Sequence, residues 1–174
     1  LDLYVPEIED PPLVVYIHGG GWVLETRKNT PDLERYAAEW GVAFASVSYR
    51  LAEIPEDADP GFQPEPDNPT PNGQFPSQIL DVKAAIRWLR ANADTYGFDA
   101  SALAVWGASA GGPLAALAGV VDDITSLAGD TYAAKILQKD VAPELSGAVQ
   151  AVVCWYPVTD LLELPRQPNS LESI

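Results

Sequence analysis

Short, continuous apolar runs of strand length alternate with helical segments along this chain, and this alternation restricts the possible folds more than any other feature. An apolar run without polar alternation is typical of a parallel strand that is buried on both faces. The strand, helix, strand order predicts parallel pairing through right-handed crossovers. We therefore predict a three-layer α/β/α sandwich with a mostly parallel sheet. The predicted strands are 13–17, 42–47, 103–106 and 148–155, preceded by a weakly alternating segment over 1–5, and the predicted helices are 29–40, 77–96, 114–121 and 132–139.

One long loop interrupts this rhythm. Residues 52–76 contain seven prolines and many acidic residues, which exclude a helix or a central strand there. Loops of this length are often lids or binding loops, but an insertion without a function fits equally well. With 174 residues, of which 47% are hydrophobic, the chain can bury a real core. We expect a single domain over 1–174, with 52–76 as a Pro-rich, acidic insertion.

The charge balance restricts the partners. Ten basic residues stand against 25 acidic ones, a net charge of -15, and such a field repels phosphate backbones. Nucleic acid is therefore excluded as a partner.

The basic residues Lys83, Arg87 and Arg90 are predicted to form a solvated helix face with Asp81 nearby. No membrane span or signal peptide is recognisable, so a cytoplasmic location is expected, with secretion and a homo-oligomer left open. The single Cys154 is predicted to be a small buried apolar residue.

The first candidate for chemistry is the pattern Gly107-x-Ser109-x-Gly111. It follows a predicted strand and opens a predicted helix, which is the setting of a nucleophile elbow. Small residues on both sides let the serine hydroxyl stand clear of the sheet, and the helix N-terminus favours negative charge at the reacting centre. Pro113 falls in the first turn of that helix, where a missing N–H costs little. Ser109 is thus the candidate nucleophile.

The second candidate is His18-Gly19-Gly20-Gly21-Trp22, directly after the first strong strand. Glycines there allow backbone N–H groups to point into a cavity, as an oxyanion hole requires. A glycine loop after an early strand followed by a later G-x-S-x-G is the order used by lipases and esterases, with the N–H of Ala110 as a further donor. A tight turn or a phosphate loop is the alternative interpretation of the glycines.

Together these motifs resemble the α/β-hydrolase superfamily, and within it the hormone-sensitive-lipase-like esterases. The resemblance also covers Tyr49-Arg50-Leu51, Phe75-Pro76 and residues 155–160. It implies that Ser109 is the nucleophile and that the N–H groups of Gly20, Gly21 and Ala110 bind the oxyanion. It further implies that Gly19 shapes the turn and that His18 orients the loop without being the triad base, while Gly107 and Gly111 support the elbow. No metal or organic cofactor is implied.

The chain departs from this family at several positions. Ser48 stands where such esterases usually have an aspartate, and Pro113 where they often have a histidine. The triad order in this fold is serine, acid, histidine, yet no histidine follows Ser109. We expect that the sequence is truncated before its triad acid and histidine; the alternative is a hydrolase fold without hydrolase chemistry. Asp160 is expected to be structural.

The leading hypothesis is a carboxylic ester hydrolase that acts through Ser109 and an acyl-enzyme on a small-molecule ester. The resemblance to esterases implies a short acyl or aromatic group in that substrate. A serine peptidase or an arylformamidase-like amidase is an alternative within the enzymes, since one fold serves all these reactions. A non-catalytic binding protein with this fold is the alternative from another class.

Overall fold

The fold is built on a five-stranded sheet. The computed structural model describes residues 1–54, 56, 63–64, 66, 73–121 and 141–160. The strands are β1 (Asp2–Tyr4), β2 (Pro12–Ile17), β3 (Ala43–Val47), β4 (Asp99–Ala108) and β5 (Ala151–Trp155). The helices are α1 (Leu33–Trp40), α2 (Ser77–Ala91), α3 (Ala93–Tyr96) and α4 (Gly111–Val120), and a short 3₁₀ turn covers Gly20–Trp22.

The strand order is β1-β3-β2-β4-β5. Strand β2 pairs in parallel with both β3 and β4, and β4 pairs in parallel with β5; only β1 runs antiparallel, along β3. The prediction of a mostly parallel sheet is therefore confirmed. Because parallel strands end at the same edge, the carboxyl ends of β2 and β4, where the two glycine motifs begin, lie side by side: Ile17 pairs with Gly107.

Helices cover both faces of the sheet. On one face Leu13, Val15 and Ile17 of β2 belong to a buried cluster with residues of α2 and α4. On the other face Tyr16, Phe44 and Trp106 pack with Leu33 and Ala37 of α1. Alternate residues of each strand point to opposite faces, so a strand covered on both sides is apolar throughout. The three-layer α/β/α arrangement predicted from the continuous apolar runs is confirmed.

Several element boundaries differ from the prediction. Helix α1 begins at Leu33 rather than at residue 29, because the Asp32 carboxylate accepts a hydrogen bond from the N–H of Arg35 and caps the helix in place of Asn29 or Thr30. The helix predicted over 77–96 is divided at Asn92 into α2 and α3. Residues 99–101, predicted as a turn, begin strand β4, and β5 is shorter than predicted. The helix predicted over 132–139 lies outside the described residues.

The two ends of the predicted insertion meet. The N–H of Gly73 donates to the carbonyl of Leu51 at 2.7 Å, and a Cβ on Gly73 would lie 2.4 Å from the Arg50 carbonyl oxygen, so only glycine fits. Most of 52–76 lies outside the described residues. The assignment of 1–174 to a single domain stays a prediction.

The basic face predicted for α2 is not solvated, and that prediction is wrong. Lys83 is only 3% exposed, and its ammonium donates to the carbonyls of Ala118 (2.7 Å) and Gly147 (2.9 Å). Arg87 donates to the Val141 carbonyl at 2.8 Å, and Arg90 to the carbonyls of Ala100 and Ser146. These cations bind carbonyls at the end of α4, in the segment before β5 and, for Arg90, in β4; the carbonyl end of a helix favours positive charge, as at Ala118.

The Lys83 contact leads to a stability prediction. We expect Lys83→Met to keep the apolar part of the side chain but lower the free energy of unfolding by about 2 kcal/mol, because two buried carbonyls lose a charged donor. Arg35→Met is the control, since the Arg35 side chain is mostly exposed and its ion pairs are long. Urea denaturation measures both variants. Equal stability of Lys83→Met and Arg35→Met would contradict this account.

Strand β5 lies at one side of the described sheet. Cys154 is half-buried rather than buried as predicted, with its thiol 3.4 Å from the Gly112 carbonyl oxygen. Val152, Val153 and Trp155 are each more than a third exposed. No helix among the described residues is long and apolar enough to cross a membrane.

Candidate active site

Ser109 occupies a strained turn between a strand and a helix. Strand β4 ends at Ala108 and helix α4 begins at Gly111, so the turn has only two residues. Ser109 adopts a φ of 51°, a left-handed conformation that is uncommon for a residue with a side chain. Its N–H donates to the Trp155 carbonyl at 3.0 Å, and its carbonyl accepts from the Gly112 N–H at 2.9 Å. The backbone on both sides thus holds Ser109 in this conformation.

The two elbow glycines are required by close backbone packing. A Cβ on Gly107 would lie 2.0 Å from the Gly111 carbonyl oxygen. A Cβ on Gly111 would lie 2.1 Å from the Ile17 carbonyl oxygen and 2.5 Å from that of His18. Non-bonded atoms cannot approach so closely, so the first turn of α4 reaches the end of β2 only through a residue without a side chain.

The glycine loop after β2 lies against this elbow. A Cβ placed on Gly19 would be 3.2 Å from the Ser109 Cβ and 3.3 Å from the Ala108 carbonyl oxygen. Gly20 and Gly21 have φ values of 81° and 60°, which glycine adopts without strain. With these values the loop continues into the 3₁₀ turn. Ala110, the other residue of the elbow, is buried directly before α4. The structure therefore brings together the two motifs that are 90 residues apart in sequence.

His18 and Tyr49 support the glycine loop from behind. The His18 side chain is fully buried, and its ring stacks on Tyr49 with centroids 4.2 Å apart. Its Nδ1 lies 3.2 Å from the Gly19 carbonyl oxygen, which can only accept, so Nδ1 carries the proton. The Tyr49 hydroxyl donates to the same carbonyl at 2.8 Å and lies 3.2 Å from that of His18. Burial lowers the pKa of His18 to about 4, so the ring is neutral near pH 7.

This burial of His18 predicts a pH-dependent loss of stability. An unfolded histidine titrates near pH 6.5, whereas the folded one resists protonation down to about pH 4. Between these values the unfolded chain binds more protons, so stability falls as the pH falls from 6.5 to 4, by up to about 3 kcal/mol from this residue. The measurement is the free energy of unfolding across this range. We expect His18→Asn, which keeps a donor toward Gly19, to remove most of the dependence of the unfolding free energy on pH. If that dependence were unchanged in the variant, carboxylates and not His18 would be its cause.

Sequence reasoning missed part of the site. A cavity of about 640 Å³ opens over Ser109, and its walls include Tyr16, Glu25, Lys28 and Tyr156 besides the two motifs. Glu25 lies three residues beyond the 3₁₀ turn, and no motif or periodicity marks it. Tyr156 follows β5 directly and so lies at the same edge of the sheet as Ser109. This position is a signal by which the sequence could have identified Tyr156 as a site residue. Tyr49 belongs to a stretch that carries the family resemblance, and no other sequence signal marks it.

The described residues offer no obvious metal site. No group of three His, Cys, Asp or Glu side chains lies close enough to hold an ion within the parts of the chain that the structure describes. Asp160, the acid expected to be structural, follows β5 and Tyr156.

Comparison with known proteins identifies the family of the chain. The BD-FAE family matches residues 1–60 and 68–173. The esterase LipC of Mycobacterium tuberculosis is 39% identical over 111 residues, which are 63% of this chain and 23% of LipC. The ethyl acetate hydrolase of Pseudomonas putida is 34% identical over 163 residues, which are 91% of this chain and 40% of that enzyme. The chain thus spans less than half the length of these curated relatives.

A solved structure is also similar to this chain. The bifunctional GH43-CE protein of Bacteroides eggerthii superposes with a TM-score of 0.64 and 32% identity, covering 89% of this chain and 18% of that one. The chain therefore belongs to the BD-FAE family, with the fold of an α/β-hydrolase and the sequence of a hormone-sensitive-lipase-like esterase.

Proposed function

We propose that the protein hydrolyses carboxylic esters and that Ser109 is its nucleophile. The observation that carries this proposal is the strained φ of Ser109 at a strand-to-helix turn, with the glycine loop packed against its side chain. A backbone strained at one polar residue points to a functional constraint there. The named esterases among the relatives support the same reaction class.

The reaction follows the acyl-enzyme route. Ser109 Oγ attacks the ester carbonyl carbon as its proton passes to a general base, and the carbonyl oxygen becomes an oxyanion held by the N–H groups of Gly20, Gly21 and Ala110. The C–O bond to the alcohol then breaks, and the alcohol leaves with a proton from the base. Water attacks the acyl-enzyme in the same manner and releases the acid.

The general base is not His18. This histidine is fully buried, is stacked on Tyr49, and donates to the Gly19 carbonyl. Because it is the sole histidine among the 174 residues, none of these residues provides a histidine base for Ser109. In this proposal His18 instead maintains the loop that presents the oxyanion donors, and Gly19 allows that loop to approach Ser109.

The substrate in this proposal is a small-molecule ester with a short acyl or aromatic group. The relative from Pseudomonas putida is named for ethyl acetate, a short ester. Tyr16 and Tyr156 in the cavity wall provide aromatic surface next to Ser109.

A fluorophosphonate probe tests this mechanism in the natural protein that carries this sequence. An activated serine displaces fluoride and forms a stable P–O bond, so mass spectrometry of peptides locates the nucleophile. We expect the label on Ser109, together with hydrolysis of p-nitrophenyl acetate. Comparison with the matched anilide separates an esterase from an amidase. Absence of both label and turnover would favour the non-catalytic binding protein.

A further inference from the structure

Each of the three N–H groups proposed to bind the oxyanion shares a peptide group with the carbonyl of the preceding residue. The donors belong to Gly20, Gly21 and Ala110, so the carbonyls belong to Gly19, Gly20 and Ser109. These peptide bonds are trans, so the N–H and the carbonyl of each point in opposite directions. A group that binds the carbonyl from one side therefore fixes the direction in which the N–H points on the other side.

Backbone N–H groups bind two of these carbonyls. The Gly20 carbonyl accepts from the N–H groups of Val23 at 3.1 Å and Leu24 at 2.9 Å, which directly follow the 3₁₀ turn. The Ser109 carbonyl accepts from the Gly112 N–H at 2.9 Å. The loop and the elbow thus fix two of the three oxyanion donors through their own backbone.

Side chains bind the third carbonyl, that of Gly19. The Tyr49 hydroxyl donates to it at 2.8 Å, and His18 Nδ1 donates to it at 3.2 Å. A carbonyl oxygen has two lone pairs, so it accepts from both groups. Gly20 lines the cavity over Ser109. A side chain that is distant in sequence therefore controls the direction of an N–H group beside the reacting serine.

The sheet places Tyr49 next to the glycine loop. Strands β2 and β3 are parallel neighbours, and their last residues, Ile17 and Val47, are paired. Gly19 and Tyr49 each come two residues after these strand ends, so the register brings them side by side. The contact from Tyr49 to the Gly19 carbonyl is therefore a consequence of the sheet and not of bonds within the loop.

The surroundings of Tyr49 hold both its ring and its proton. The ring is buried and stacks on that of His18, with centroids 4.2 Å apart. The next residue, Arg50, donates from its N–H at 2.9 Å and from its guanidinium at 2.7 Å to the Asp81 carboxylate. Burial, and after it the negative charge of Glu25, raise the pKa of Tyr49. The hydroxyl thus keeps its proton and remains a donor at neutral pH.

We propose that the Tyr49 hydroxyl is a positioning group of the oxyanion hole, which holds the Gly19 carbonyl so that the Gly20 N–H points toward the oxyanion. This inference rests on the proposed function. The same bond polarises the peptide, which makes its N–H a stronger donor. The gain is largest in the transition state, where the substrate oxygen carries negative charge, and small for the bound ester. Tyr49 acts through the peptide and needs no contact with the substrate.

Tyr49→Phe tests this inference, because it removes the hydroxyl and keeps the ring that stacks on His18. The Gly19 carbonyl retains the His18 donor, so we expect the protein to stay folded. We expect kcat/KM for p-nitrophenyl acetate to fall about tenfold, less than the loss of a whole oxyanion donor. Tyr36→Phe is the control: it removes a hydroxyl from another stacked ring, 4.3 Å from that of Trp40, and should leave kcat/KM unchanged.

Inhibitor binding separates this role from a merely structural one. A trifluoromethyl ketone forms a tetrahedral adduct with the serine and places its oxyanion among the donors, whereas the matched methyl ketone binds without an adduct. We expect Tyr49→Phe to weaken the trifluoromethyl ketone about tenfold and to leave the affinity for the methyl ketone unchanged. A general loosening of the fold would weaken both. If kcat/KM and the ratio of the two affinities were unchanged in Tyr49→Phe, the inference would be overturned while the esterase proposal stood.

NMR provides a measurement that does not depend on turnover. Of the 174 residues, Gly20, Gly21 and Gly112 are those that follow another glycine, so labelling glycine with ¹³C at the carbonyl and with ¹⁵N selects them in a carbonyl-to-nitrogen correlation spectrum. A bond to a carbonyl deshields the nitrogen of the same peptide. We therefore expect Tyr49→Phe to move the Gly20 ¹⁵N resonance upfield and to leave that of Gly21 in place.

The combined outcomes distinguish the two proposals. An unchanged Gly20 resonance in Tyr49→Phe shows that the hydroxyl does not fix this peptide, and it overturns the inference. Hydrolysis that does not depend on Ser109 refutes the esterase proposal instead, and the Gly20 resonance still decides whether Tyr49 controls the peptide.

Discussion

Ser109→Ala is expected to lower kcat for ester hydrolysis by at least about 10³-fold while the protein stays folded, because the attacking oxygen is removed and water has to replace it. Alanine fits the site, since Ser109 is only half-buried and its backbone contacts do not involve Oγ. The unfolding midpoint is therefore expected to change little. The measurement is the initial rate with p-nitrophenyl acetate on natural protein that carries this sequence.

Ser101→Ala is the matched control for this variant. Ser101 lies in β4, the strand that precedes Ser109, is exposed, and uses its hydroxyl to donate to Asp99. We expect Ser101→Ala to retain full activity and to react with the fluorophosphonate probe at the normal rate. If Ser109→Ala retained more than about a tenth of the rate, the acyl-enzyme mechanism assigned to Ser109 would be wrong.

Gly111→Ala is expected to have the largest effect on stability, a loss of about 4 kcal/mol or complete unfolding. The new Cβ would lie 2.1 Å from the Ile17 carbonyl oxygen, which is backbone of the central strand β2 and cannot rotate away. Relief requires α4 to move off the sheet, which would open the core where Leu114 and Ala118 are buried. Chemical denaturation followed by tryptophan fluorescence measures this loss.

Gly97→Ala separates this steric effect from the ordinary cost of replacing a glycine. Gly97 has a φ of 76°, yet a Cβ there meets no atom within 4 Å. We expect a loss of only about 1 kcal/mol, the cost of a left-handed conformation with a side chain. If both variants lost the same stability, backbone conformation rather than close packing would explain the glycines.

The sequence predicted the elements and the two motifs because these depend on local patterns. The continuous apolar runs indicated a sheet buried on both faces, and residues 13–17 and 103–106 lie in adjacent parallel strands as expected. Parallel strands end at one edge, so a glycine loop after one strand and an elbow after another share that edge, and the observed pairing of β2 with β4 makes them neighbours. The family could also be recognised from the sequence, because each of the two motifs is a single continuous stretch of residues.

The boundaries depended on competing local interactions that the patterns do not rank. Asn29, Thr30 and Asp32 are all good N-cap residues, and α1 begins where the Asp32 carboxylate reaches the N–H of Arg35. Likewise, Asp99 and Ser101 make the side-chain bonds expected of a turn, but Asp99 pairs with Pro12 of β2 and strand β4 continues through Ser101. At α1 a local bond selected among the alternatives that the sequence allowed, and at β4 the pairing with another strand did so.

The sequence by itself determined the layered fold and the place of Ser109, whereas only the tertiary structure decided what surrounds them. The spacing of Lys83, Arg87 and Arg90 indicated a solvated face, but α4 and the segment before β5 cover it with carbonyls. Tyr49 became a support of the oxyanion loop, and Glu25 a wall of the cavity, through contacts between segments distant in the chain. The physical reason is that burial and electrostatic partners are set by elements that pack together in space, and periodicity along one element carries no information about its neighbours.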